Sequence, residues 1–411
     1  MKSKYISLLL NALIIVVIFI SGCIQLGDFK NKTESSAQSN MSEASPVNHS
    51  EMILTSDFTP CSGMDTTQKN PIAYHRILLA NSTDGLHFTR MNKVIDDRAS
   101  VPDIMVDKEG NVRIYYVLIT CKEQGEDRHD IPVVAISPDK GQTWFYKNLK
   151  IEAPSEAPHC YTPGGFPTPV DPEVLLMPDG TYRLYATCPR GTENGTPMTF
   201  VFFSNDGINF KDGKITYVPK TIALDPVVFK VGSEWWLING NSNPAKSSDG
   251  ITFIGPENEG PFSSLPQFRD PTSGKMNYYV IGDVLTLENP IRYRLYLFGD
   301  TPEEGIKSII STDGKTWSME QSTNEYILSV DKSSNTFEYY KLMFPTVARL
   351  KDGSYLMAYE TFIPGTPYSV LSGGEQQQGG TQPSSGGKVG CGDGICDSIE
   401  RNTGTCPQDC H

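Results

Sequence analysis

The sequence is poor in residue types on which several common chemistries rest. Six histidines (His49, His75, His87, His129, His159 and His411) are scattered over 411 residues, and no two share a metal-ligand spacing, which argues against a histidine-held metal centre. Lys and Arg number 35 against 48 Asp and Glu, a net charge of −13. That balance excludes sequence-independent nucleic-acid binding, which needs a cationic surface. No Gly-rich phosphate loop follows a strand-like run, and a nucleophilic serine elbow is absent. The N-terminal apolar run, Leu8 to Ile20, has 13 residues interrupted by Asn11, short of the roughly 20 that span a bilayer. What the chain does have is 36 Gly, 29 Pro, 19 Tyr and 18 Phe, a composition of turns and aromatic strands that points to an all-β fold.

The first residues read as an export address. Lys2 and Lys4 precede the apolar run, which ends in Ile20-Ser21-Gly22-Cys23. This resembles the lipobox of exported lipoproteins, so residues 1–22 are expected to be a signal peptide and Cys23 the lipidated new N-terminus. The alternative is an uncleaved single-span anchor. In both cases the rest of the chain faces outside the cytoplasm at the cell surface, held to a membrane. Eight further cysteines, Cys61, Cys121, Cys160 and Cys188 in the body and Cys391, Cys396, Cys406 and Cys410 at the end, are expected to form two disulfides in each group. The body cysteines are too widely spaced for a zinc motif.

Residues 23–56 are rich in Ser, Asn, Glu and Lys without hydrophobic period and read as a disordered tether. Glycosylation sequons fall there at Asn31, Asn40 and Asn48, with two more at Asn81 and Asn194. A Gly/Gln/Ser linker, residues 371–390, separates a block at 57–370 from a Cys-rich module at 391–411.

Repeats decide the architecture of that block. A turn motif occurs five times: Ser82-Thr-Asp84-Gly-Leu-His-Phe88, Ser137-Pro-Asp139-Lys-Gly141-Gln-Thr-Trp144, Ser204-Asn-Asp206-Gly-Ile-Asn-Phe210, Ser247-Ser-Asp249-Gly-Ile-Thr-Phe253 and Ser311-Thr-Asp313-Gly-Lys-Thr-Trp317. In each, Asp is suited to bond backbone amides, Gly to take positive φ, and the aromatic to fill the space between sheets. A second hairpin pattern also recurs, opening at Pro102, Pro172, Pro226 and Pro345, with a looser copy between Tyr278 and Phe298. The copy at Pro345 follows the last turn motif, while Tyr74 to Phe88 lacks one upstream. The two halves complete each other. Four strands per unit and five units predict a five-bladed β-propeller closed by its N- and C-terminal strands. A sixth blade has room only between Ile254 and Asn277.

The turn motifs resemble the Asp-box of sialidase-like repeats, and the layout over residues 57–370 resembles the five-bladed glycosidases of the arabinanase, β-xylosidase and invertase type. Glycoside hydrolysis needs two carboxyl groups with opposed pKa shifts. Carboxylates recur where the inner strands begin, at Val101-Pro102-Asp103, Asp171-Pro172-Glu173, Asp225-Pro226 and Gly282-Asp283. The resemblance places a catalytic base at such an Asp-Pro step, which makes Asp171 and Asp225 the first candidates and Asp103 and Glu173 their neighbours. An Asp at a strand entry also caps turns in propellers without activity. Arg269-Asp270-Pro271 resembles the Arg-Asp-Pro of invertases, whose Asp steadies the oxocarbenium ion, and gives Asp270 a catalytic and Arg269 a substrate-binding role by resemblance. Glu259-Gly260-Pro261 resembles the catalytic-acid motif of arabinanases but follows a turn motif. The invertase Asn-Asp-Pro-Asn opening is missing, and so is the sialidase arginine triad, since Arg113, Arg183 and Arg349 sit in or beside strands as rim residues.

His159, in a loop entering the second inner strand, is a candidate for lining the mouth and touching substrate. Of the adjacent Trp235 and Trp236, at least one must be core. In the tail, Asp393, Asp397, Glu400 and Asp409 offer oxygens for Ca²⁺, while the body chemistry requires no cofactor. Two functions follow: a surface-anchored glycosidase acting on extracellular or cell-wall polysaccharide, or a non-catalytic propeller binding glycan or a protein partner at the envelope. The anchoring is tested by Cys23→Ala, expected to leave an exported protein without lipid; unchanged membrane association and electrophoretic mobility would refute it.

Overall fold

The computed structural model describes residues 74–366 except 122–127, 153, 155–168, 189–196, 220–223, 241, 256–260, 262–278, 300–304, 323–324 and 332–336. Cys23, the tether, Cys61, Cys160, His159, Glu259, Arg269, Asp270 and the Cys-rich module lie outside the described residues, as do the sequons other than that at Asn81. Cys188 is buried and disulfide-bonded.

Among the described residues, twenty strands form five sheets. In chain order they are β1 (His75–Ser82), β2 (Thr89–Asp97), β3 (Ala99–Val106), β4 (Val112–Cys121), β5 (Arg128–Ser137), β6 (Phe145–Asn148), β7 (Lys150–Ile151), β8 (Val170–Leu176), β9 (Tyr182–Cys188) and β10 (Met198–Ser204). They continue as β11 (Asn209–Tyr217), β12 (Pro226–Val231), β13 (Glu234–Asn239), β14 (Ala245–Ser247), β15 (Tyr279–Leu287), β16 (Arg292–Gly299), β17 (Lys307–Ser311), β18 (Ser318–Met319), β19 (Tyr339–Arg349) and β20 (Tyr355–Phe362). Blade I is β3-β4-β5-β6, blade II β8-β9-β10-β11, blade III β12-β13-β14, blade IV β15-β16-β17-β18, and blade V β19-β20-β1-β2.

Blade V carries the closure that the unmatched half-repeats predict. β1 pairs antiparallel with β20 from His75↔Phe362 to Ser82↔Tyr355 without a register shift. The fold is a five-bladed β-propeller whose ring is shut by strands from opposite ends of the block.

Two blades depart from four antiparallel strands. Among the described residues blade III has three, with a single bridge between Lys246 and Ile254 beyond them. Blade II gains β7, which pairs parallel to β11 at its outer edge.

Middle strands are buried on both faces because blades stack face to face, so they read as near-continuous apolar runs; every residue of β20 is buried. Each seam has its own core. Ile104 and Trp144 of blade I meet Leu79 and Leu356 of blade V, while Tyr115 and Val134 of blade I meet Leu184 and Phe200 of blade II. Tyr185 and Val201 then meet Val228 and Leu237, Phe229 and Trp236 meet Tyr293 and Leu295, and Tyr296 and Ile306 meet Leu342 and Tyr359. Trp236 is wholly buried and Trp235 half-buried.

At the rim the five turn motifs share one hydrogen-bond pattern. In Ser204–Phe210, the Ser204 hydroxyl donates to Asp206 and accepts the Asp206 and Gly207 amides, and Asp206 Oδ1 accepts the Ile208 and Asn209 amides, both at 2.8 Å. These bonds hold the Asp206 carboxyl down, at about 2, against the raising effect of its partial burial. Neighbouring blades grip the same turns. Tyr115 donates to the Gly207 carbonyl and Arg113 to that of Asp206; Tyr185 and Arg183 do so for Gly250 and Asp249. Only glycine fits, since a Cβ on Gly207, at φ 70°, would lie 2.7 Å from the Tyr115 hydroxyl. Arg113 and Arg183 are thus rim clamps.

Deleting residues 344–360 removes the partner that β1 needs and bares its sheet edge. The product is expected to be insoluble or to unfold without a cooperative transition; a soluble, cooperatively melting deletion would refute the closure.

Candidate active site

Inner strands enter the axial funnel through a shared irregularity. Pairing with the second strand slips between Ser100 and Asp103 in β3, Val170 and Glu173 in β8, Ile281 and Asp283 in β15, and Met343 and Thr346 in β19. The residue before the proline has positive φ in four blades: 52° at Val101, 54° at Asp171, 54° at Asp225 and 45° at Phe344. Such backbone costs on the order of 1–3 kcal/mol per residue outside glycine, and most of all for a β-branched valine. Bulges of this kind re-aim side chains at the start of a strand. In blade IV, Gly282 stands where the other four have proline, and a Cβ there would lie 2.5 Å from the Pro345 carbonyl oxygen.

The residue after the proline builds a first layer. Asp103 accepts the Val174 amide of the next blade (2.7 Å), Glu173 accepts that of Val228 (3.1 Å), Asp283 accepts that of Val347 (2.7 Å), and Thr346 accepts that of Ile104 (2.9 Å). Each blade thereby fastens the next. Blade III breaks the series because Val227 has no acceptor. The Val284 amide it leaves behind is taken by Asp283 itself, at 2.5 Å. Carboxylate oxygens of Asp103, Glu173 and Asp283 lie within 4.8 Å of one another, and all three residues are buried. Burial raises all three acids, and mutual repulsion adds to this for Asp103 and Glu173. Asp283 reaches about 7, lowered only in part by its amide and Thr346 bonds.

The residue before the proline builds a second layer. Asp171 accepts the Asp225 amide at 3.4 Å, and Glu360 of β20 accepts the Val101 amide at 2.6 Å and the Ser100 hydroxyl at 2.9 Å. The ring Nδ1 of His75 lies against the other oxygen of Glu360. Asp225 differs from both. The amide it would reach in blade IV, that of Ile281, already donates to the Gly240 carbonyl, and no described residue donates to the Asp225 carboxyl. Burial first, then the charges of Asp171 and Glu360, push Asp225 well above the ordinary carboxylate value. Asp171 rises to about 6, chiefly by burial, against the lowering effect of the Thr187 hydroxyl and the Asp225 amide. Asp225 keeps some accessible surface, whereas Asp171 is 9% exposed. In blade V the same position is half-buried Phe344, whose ring lies tilted against that of Phe298 at 4.7 Å between ring centres.

The four aspartates and glutamates expected from the inner strands are therefore present at the axis, but in two layers with different occupations. Asp103 and Glu173 spend an oxygen on the neighbouring blade; Asp171 and Asp225 form a pair. Glu360 and His75 escape sequence reading. The available signal is a carboxylate inside an otherwise apolar or hydroxyl-bearing strand, Tyr355-Leu-Met-Ala-Tyr-Glu360-Thr-Phe.

No protein-family model matches the sequence, and no curated protein is similar to it. Among solved structures, the chain is similar to a thermostable family-43 glycoside hydrolase (13% identity, 64% of this chain and 88% of that one, TM-score 0.45). It is also similar to an exo-1,5-α-L-arabinanase from a bovine ruminal metagenomic library (14%, 63% and 92%, 0.40). A third is an N-acetylgalactosamine deacetylase from F. plautii (14%, 66% and 81%, 0.44). These are similarities of chain trace, and none transfers a residue's role to this chain.

Asp283, raised to about 7, binds more protons folded than unfolded between about pH 4 and 7, so the stability it contributes is present below pH 4 and lost as pH rises through 7, and the other raised axial acids act in the same direction. The rim aspartates act oppositely, and their contribution is lost only as pH falls through about 2. Thermal stability is expected to fall from pH 4 to pH 8, by up to about 1.4 kcal/mol per pH unit for each proton released. Asp283→Asn should flatten that slope and raise the melting temperature at pH 8. An unchanged slope would remove the axial acids as its source.

Proposed function

We propose that this protein is a surface-tethered glycoside hydrolase acting on extracellular or cell-wall polysaccharide. The observation that carries the reading is the unequal Asp171–Asp225 pair: two carboxyls on strained turns of neighbouring blades, one accepting a backbone amide and one with no donor among the described residues. Pairs whose environments push their pKa values apart are the acid and base assignments of such sites. Asp225, kept protonated by burial and like charge, gives its proton to the leaving glycosidic oxygen. Asp171, ionised above about pH 6, serves the opposite side as base or nucleophile. Half-buried Phe344 in the same layer offers an apolar wall beside the acids, the mixture of surfaces that small-molecule sites favour. The Cys23 lipid anchor and the tether at 23–56 belong to this proposal as the means of holding the enzyme outside the cytoplasm.

A second reading, a glycan-binding propeller without catalysis, is favoured by the engagement of Asp103, Glu173 and Asp283 in blade-to-blade bonds, which leaves them as structural groups.

Asp225→Asn and Asp171→Asn decide between the readings on a panel of aryl-glycosides and polysaccharides. Loss of a general acid is expected to cost about 10²–10⁴-fold in activity, with a melting temperature that holds or rises because crowded like charges oppose folding. Retained function in both variants, with a loss of stability instead, would make them turn caps and end the enzyme reading.

A further inference from the structure

Glu360 is 0% exposed and sits in a strand paired on both sides. It is the one carboxylate among eight buried residues of β20. Burying such a charge is costly unless it is paired and hydrogen-bonded, and an apolar residue would fill the space without that cost. Its bonds show where it acts. One oxygen takes the Val101 amide and the Ser100 hydroxyl, clamping the turn of blade I at the position where blades II and III carry Asp171 and Asp225. Blade V carries Phe344 at the position from which Asp171 takes the amide of the next blade, and Glu360 of the same blade supplies the acceptor instead. The other oxygen meets His75, whose ring is nine-tenths buried and packs edge-on against Phe362 at 4.5 Å. His75 comes from β1, the strand that closes the ring.

We propose that Glu360, with His75 against its second oxygen, is a positioning residue for the Asp171–Asp225 pair, holding the Val101 turn in the layer to which both aspartates belong. Glu360 does not touch substrate, since none of its surface is accessible. Among the described residues, the charged groups facing the two aspartates are Asp130 of β5, Glu360 of β20 with His75 of β1 behind it, and each other. The roles of Asp171 and Asp225 rest on the hydrolase reading; the electrostatic role of Glu360 does not.

The test uses the full chain and follows the aspartate carboxyl carbons by NMR through a pH titration, alongside thermal unfolding. Glu360→Gln keeps an oxygen for Val101 but removes the charge, and is expected to lower the Asp225 midpoint by about one pH unit. Glu360→Asp keeps the charge with a shorter reach; it should lower the melting temperature and leave the midpoint near that of the unsubstituted protein. A purely structural role would change stability in both variants and the midpoint in neither. An unmoved midpoint in Glu360→Gln, or one that falls in Glu360→Asp, overturns the proposal. If Glu360→Gln does not fold, Glu360→Asp and the unsubstituted protein still decide, since an Asp225 that titrates below Asp171 also overturns it. A shifted midpoint in a protein without glycosidase activity supports the positioning role and ends the hydrolase reading.

Discussion

The fold depends on a carboxylate or hydroxyl of one inner strand accepting the backbone amide of the next blade. Inner strands of a propeller have a free edge toward the axis, and their amides near the bulge have no ladder partner there. Asp103, Glu173, Asp283 and Thr346 answer that need across four of the five seams. Each such bond to an otherwise unpaired amide avoids a penalty of about 1–3 kcal/mol. The arrangement brings three acids within 4.8 Å, so the same groups that fasten the blades crowd the axis with carboxyls whose charges are suppressed by burial.

What separates the layers is whether an amide is available. Where the neighbouring blade presents one, the acid is consumed as a clamp. Where the next amide is already bonded, as Ile281 is to Gly240, the acid is left over. Asp225 is that remainder. Asp171 and Asp225 are thus distinguished by their partner, with the same residue type, the same strand position and the same positive φ: Asp171 accepts the amide of the next blade, and the corresponding amide beyond Asp225 is already bonded.

That distinction explains what the sequence disclosed and what it withheld. The turn motifs from Ser82 to Trp317 and the proline-led hairpins repeat locally, so blade number and closure were legible in them. The Asp-Pro steps at Asp171 and Asp225 were visible for the same reason. The separate duties of Asp103 and Glu173 depend on which amide from another blade faces them, a property of packing between segments distant in the chain. Glu360 and His75 lie outside the repeat altogether and meet only through the pairing of β1 with β20.

The pairing of His75 with Phe362, extended by the Ile363 amide to the Tyr74 carbonyl at 2.7 Å, places the two flanks of the ring side by side. Tension applied between those flanks would pass through this one pair of strands and leave blades I to IV unloaded. Because the pair starts at that end, such a load peels it rung by rung instead of shearing eight rungs at once. The propeller's mechanical fuse is therefore blade V, and its first rung carries His75.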